Sequence, residues 1–175
     1  MDKQELIVIV VVFAVVLAAS FALTTWLNSQ NNYFFGFKVF ADESSFDAVK
    51  SVFAKNNTLL LRQELINGSS PSNTAVGAAS AELVYASLSV GRKIYNYGAV
   101  NGVAVQSSCS LNNSFCGTPD IIIRSDSSTS PCNCIYVRNG DNGKVMEIVG
   151  SSDFLLRNAV NLRKMVFAVN SNNSG

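Results

Sequence analysis

Histidine is absent from all 175 residues. That removes Ser-His-Asp and Cys-His nucleophilic systems, imidazole metal sites and the ordinary proton shuttle near neutral pH. Charge is also sparse, at 14% of residues, and no run of like charge occurs. Beyond the first thirty residues 12 basic and 10 acidic side chains remain, because Lys3, Asp2 and Glu5 drop from totals of 13 and 12. Such scattered charge excludes the basic footprint of a nucleic-acid binder and a polybasic lipid patch. No S-x-x-K and no G-x-G-x-x-G is present, and Gly143-Lys144 lacks both P-loop spacing and a following Ser or Thr. Serine-lysine and nucleotide chemistry are therefore not indicated, and no cofactor is expected.

What the sequence has instead is an apolar start. No residue from Leu6 to Leu27 carries a charge, and Leu6–Leu23 is almost wholly aliphatic, aromatic or small. As a helix that segment reaches roughly 33 Å, against about 30 Å of bilayer hydrocarbon. A buried core helix would keep a polar stripe, and none appears before Thr24 and Thr25. The expectation is a transmembrane anchor over 1–27, retained rather than cleaved, a polar linker over 28–32, one domain over 33–168 and a disordered polar tail over 169–175. Ser20-Phe21-Ala22 would suit signal peptidase, but Asp2, Lys3 and Glu5 leave the start less basic than a secretory signal. The charged start Asp2-Lys3-Gln4-Glu5, running straight into the apolar segment, resembles the class III signal of type IV pilin-like proteins. That resemblance covers the first thirty residues and departs from the pattern in having no small residue before Glu5. It implies a filament subunit that packs through its N-terminal helix.

Four cysteines, Cys109, Cys116, Cys132 and Cys134, cluster in the second half. Candidate N-glycosylation sequons begin at Asn56, Asn67, Asn112 and Asn172. Together with the leading anchor they favour the oxidising side of a cell membrane, with the C-terminal domain outside the cytosol. Disulfides are the default there. Four cysteines allow three pairings, and the spacing does not choose among them, although joining the Cys109/Cys116 loop to Cys132 or Cys134 is geometrically reasonable. A tetrathiolate metal site on the same four residues is the alternative, with spacing unlike the familiar C-x2-C.

The remaining chain alternates in period. Tyr33–Ala41 reads as a strand, and Phe46, Val49, Val52 and Phe53 lie at helical spacing behind Asp42 or Ser44 as cap. Thr58–Leu65 is a compact apolar strand, and Ser72 or Asn73 opens an alanine-rich helix to about Tyr97, closed by Gly98. Strands are expected over 100–106 and 119–124. Cys132–Arg138 and Lys144–Val149 flank Asn139-Gly140-Asp141-Asn142-Gly143, a hairpin signature. A final helix starts at Ser151 or Ser152. The fold class predicted is α/β or α+β, a small mixed sheet with about three helices packed on it.

Glu64, Glu82, Asp120, Asp126, Asp141 and Glu147 are the carboxylates available for acid-base work, and Asp126 sits in a loop able to cradle a cation or a sugar hydroxyl. The chain resembles the small single-pass extracytoplasmic proteins of prokaryotic cell envelopes. The function expected is a membrane-anchored binding module for an envelope protein or a glycan, held to the membrane through residues 6–27. A pilin-like filament subunit and a thiol- or metal-dependent envelope enzyme are the alternatives.

Overall fold

The computed structural model describes residues 12–20, 33–54, 58–101, 103–105, 118–141 and 143–171. The chain divides into two compact units, Met1–Asn32 and Tyr33–Gly175. In the first unit the described residues 12–20 form helix α1. No helix among the described residues is long and apolar enough to cross a membrane. The span expected over 6–27 is therefore seen only in this fragment, and its remainder lies outside the described residues.

The second unit is a mixed α/β layer structure. Its elements are β1 (Tyr33–Phe34), β2 (Phe37–Phe40), α2 (Ser45–Ala54), β3 (Thr58–Leu65), α3 (Pro71–Ser89), β4 (Lys93–Val100), β5 (Val103–Ala104), β6 (Ile121–Ser125), β7 (Cys134–Gly140), β8 (Gly143–Gly150) and α4 (Ser152–Ser171). The described strands form one sheet in the order β1-β2-β7-β8-β6-β3-β4-β5. The centre is parallel: β8, β6, β3 and β4 run the same way. β7 opposes β8 through the expected hairpin, and β2 runs parallel to β7.

Strand alternation sends one set of side chains to each face. Phe37, Val39, Leu59, Leu61, Ile121, Ile123, Ile135, Val137, Met146 and Ile148 join α2, α3 and α4 in a single core. Helix α3 contributes Ala75, Val76, Ala79, Leu83 and Ala86 to this core, and α4 contributes Leu155, Leu162, Met165, Val166 and Val169. The small residues of α3 let the two helices approach closely, and they make the most extensive helix–helix contact in the domain. Each helix is capped by a serine. Ser44 Oγ accepts the Asp47 N–H at 3.2 Å, Ser70 Oγ accepts the Ser72 N–H at 3.2 Å ahead of Pro71, and Ser151 Oγ accepts the Phe154 N–H at 3.2 Å.

Departures from the sequence reading have local causes. The alanine-rich helix stops at Ser89, because Gly91 takes φ +77 and closes it: Arg92 N–H donates to Ser87 O at 2.8 Å and Gly91 N–H to Leu88 O at 3.0 Å. Residues 93–100, read partly as helix, are strand β4, in keeping with Ile94, Tyr95 and Tyr97. Gly98 is not a cap but a close approach, since a Cβ there would lie 2.9 Å from Leu65 Cδ1. The strand expected over 33–41 folds into a hairpin, with Phe35 at φ 50 and Gly36 at φ 88 between β1 and β2. The strand expected over 100–106 is split at Asn101 (φ 52), leaving only β5 beyond it. Helix α4 continues to Ser171, and Val169 within it is 1% exposed.

Candidate binding face

Helices α2, α3 and α4 all pack on one side of the sheet, and the residues of the other side follow from the register. One row crosses six strands as Phe40, Tyr136, Glu147, Ile122, Arg62 and Tyr97, each paired with the next. The adjacent row reads Lys38, Cys134, Val149, Arg124, Glu64 and Ala99. Five interstrand spacings of about 4.8 Å make the strip roughly 24 Å wide. Ile122, Val145, Val149 and Tyr97 are buried on this side yet lie outside the helix-side core.

The charged side chains on this side form two clusters. Arg124 Nε lies 2.6 Å from Glu147 Oε1, and Arg138 approaches Glu147 Oε2 at 3.6 Å from the strand beyond. Arg62 Nε lies 2.7 Å from Glu64 Oε1, two residues on along β3. Arg62 also reaches Tyr97, whose hydroxyl is nonetheless pushed above its ordinary pKa because burial disfavours the phenolate more than the guanidinium favours it. At the β2 side of the strip, Phe40 and Tyr136 stack with ring centres 5.0 Å apart and planes 11° from parallel, and Lys38 Nζ sits 5.0 Å from the Phe40 centroid. Flat rings beside fixed donors and acceptors can hold a sugar ring or an extended polypeptide. No nucleophile with a base lies among them.

The residues singled out from sequence fare unevenly. The sulfurs of Cys132 and Cys134 are in contact, their Cα atoms 5.3 Å apart, and the sequence had left the pairing open. Cys132 precedes β7 and Cys134 opens it, so strand alternation does not govern the pair. Tyr136 Oη lies 3.5 Å from Cys132 Sγ. Cys109 and Cys116 lie outside the described residues, as do Asn56, Asn112 and Asn172. Asn67 is exposed in the β3–α3 loop, which Asn73 braces by accepting the Ile66 N–H at 2.8 Å and donating to Ile66 O at 2.9 Å and Gly68 O at 2.8 Å. Among the described residues no group of three or more His, Cys, Asp or Glu could hold a metal ion.

The carboxylates are committed to other work. Asp126 accepts the Ser128 N–H at 3.0 Å and the Cys132 N–H at 3.1 Å. The Ser128 hydrogen bonds, then that of Cys132, hold its carboxyl below the usual range. It closes a loop and presents no cradle. Asp120 Oδ2 accepts the Leu60 N–H at 3.0 Å, and Glu82 lies 3.4 Å from Arg163 Nε. The cross-strand row was missed from sequence, though one signal was there: Arg62 and Glu64 on β3, Arg124 on β6 and Glu147 on β8 interrupt largely apolar strands. Compared with known proteins, the chain matches no family, no curated protein and no solved structure.

Proposed function

We propose that the protein is a membrane-anchored, extracytoplasmic binding module, tethered through the apolar run 6–27 and presenting the sheet face opposite α2, α3 and α4 to an envelope protein or a glycan. The observation that carries this reading is the row Phe40, Tyr136, Glu147, Ile122, Arg62 and Tyr97, where aromatic rings and Arg–Glu ion pairs share one strip of the sheet. Binding of this kind needs no reactive side chain, in keeping with a sequence free of histidine. The clustered cysteines and the exposed sequon at Asn67 support placement outside the cytosol.

A photo-crosslinking amino acid at Tyr136 in the full chain, expressed in its native membrane, tests the face. The same probe at Tyr85, on the outer side of α3, serves as control. Adducts confined to position 136 are expected, and their mass distinguishes a glycan from a protein. Equal labelling at both positions, or none at either, overturns the reading. Intact mass of the membrane-extracted chain, before and after reduction and alkylation, tests the compartment: four free thiols without added glycan would place the domain elsewhere.

A further inference from the structure

The chain enters its second unit through an edge unusually rich in aromatic rings. Tyr33 is 55% exposed and Phe40 40%, and Phe34, Phe35 and Phe46 are half-buried around them. Phe34 meets Phe35 edge-on at 4.8 Å and Phe46 at 6.0 Å, so β1, the hairpin turn and α2 share one cluster. Tyr33 pairs with Lys38 on the sheet face opposite α2, α3 and α4, whereas Phe34 pairs with Phe37 on the helix side. The rings therefore wrap both sides of the edge. Two lysines ride on them, Lys38 Nζ 5.0 Å from the Phe40 centroid and Lys50 Nζ 6.0 Å from that of Phe46.

The hairpin turn adds a second observation. Phe35 and Gly36 both take positive φ, at 50° and 88°. Two-residue hairpins of that kind favour Asn-Gly, and a bulky side chain at the first position is conformationally costly. The ring of Phe35 packs against the rim of the core beside Phe34.

We propose that this aromatic edge, built by β1, β2 and the start of α2, rests in the headgroup layer of the bilayer. The proposal rests on the anchor reading above. Leu27 ends the apolar run and Tyr33 opens the domain, so the intervening chain spans at most about 20 Å even when extended. Tyrosine and tryptophan rings partition into that layer, and lysines there bury their stems along apolar surface while the ammonium stays wet. Charge does not drive the contact: Lys38, Lys50 and Lys144 are matched by Asp42, Glu43 and Asp47, with Lys144 paired to Glu43. The surface thus fits a zwitterionic interface, and its docking is insensitive to salt.

The test uses the full chain in phosphatidylcholine vesicles. Trp26→Phe removes the only native tryptophan, and Phe40→Trp, Tyr33→Trp or Tyr85→Trp then places a single reporter, with circular dichroism confirming the fold of each. The expected result is a blue shift, with loss of emission on substituting brominated phosphatidylcholine, at positions 40 and 33 but not at 85. Retention of the chain after an alkaline carbonate wash reports the anchor separately. A retained chain whose reporter at 40 is no more quenched than that at 85 overturns the docking alone. Release by carbonate overturns the anchor, and the docking with it.

Discussion

Glu147 on β8 receives Arg124 from the parallel strand on one side at 2.6 Å and Arg138 from the antiparallel strand on the other at 3.6 Å. One carboxylate thus ties three strands on the face opposite α2, α3 and α4. Both arginines are well exposed, at 44% and 64% of their side chains, so water screens the pair. Glu147→Gln is expected to cost less than about 1 kcal/mol in urea unfolding. The same substitution should weaken crosslinking from position 136, since it frees Arg124 and Arg138 to move.

Gly91 sits at φ +77 with no atom within 4 Å of where a Cβ would stand. Any penalty on substitution is therefore backbone strain and not a clash. Gly91→Ala should destabilise the domain by about 1–2 kcal/mol, and Gly91→Asn by less, because asparagine tolerates the left-handed conformation. Thermal unfolding of both variants checks the order.

Leu61 is 0% exposed at the centre of β3, in the core shared by sheet and helices. Leu61→Ala removes buried methyl groups and leaves a cavity, so a loss of about 2–5 kcal/mol is expected in urea unfolding. Leu61→Met should recover much of it.

Two groups with shifted pKa values make stability depend on pH. Asp126 has a folded pKa below its ordinary value of 3.8, so its contribution is present above that value and is lost as pH falls through the folded one. Asp126→Asn should flatten the acid limb of the stability curve below about pH 4. Tyr97 has a folded pKa above its ordinary 10.0, so its contribution is present below that value and is lost as pH rises through the folded one. Tyr97→Phe should flatten the alkaline limb above about pH 10. Unfolding midpoints across both ranges decide the matter.

Much of the domain was legible because its signals are local. The Asn139–Gly143 turn announced the β7–β8 hairpin, and serine caps announced α2 and α4. What failed had weak local signals. Helix α3 ran too far in the sequence reading because Gly91 lies within a stretch, Tyr85 to Tyr97, in which apolar residues recur at spacings that suit helix and strand alike. The hairpin at Phe35-Gly36 was invisible because phenylalanine is not a turn residue. The binding row could not be read at all, since it joins residues from six strands whose order no local pattern specifies. Arg62 and Glu147 become members of one strip only when β6 is set between β3 and β8.

That strand order also dictates when the domain can close. Lys38 lies beside Cys134, so β2 waits for β7 before it gains its parallel neighbour. A chain emerging from the ribosome would carry the aromatic hairpin without its sheet partner until almost the whole domain had been made. Truncation ahead of β7 should therefore leave not a smaller domain but a sticky, unfinished one. The residues nearest the start of the domain are among the last to be locked in place.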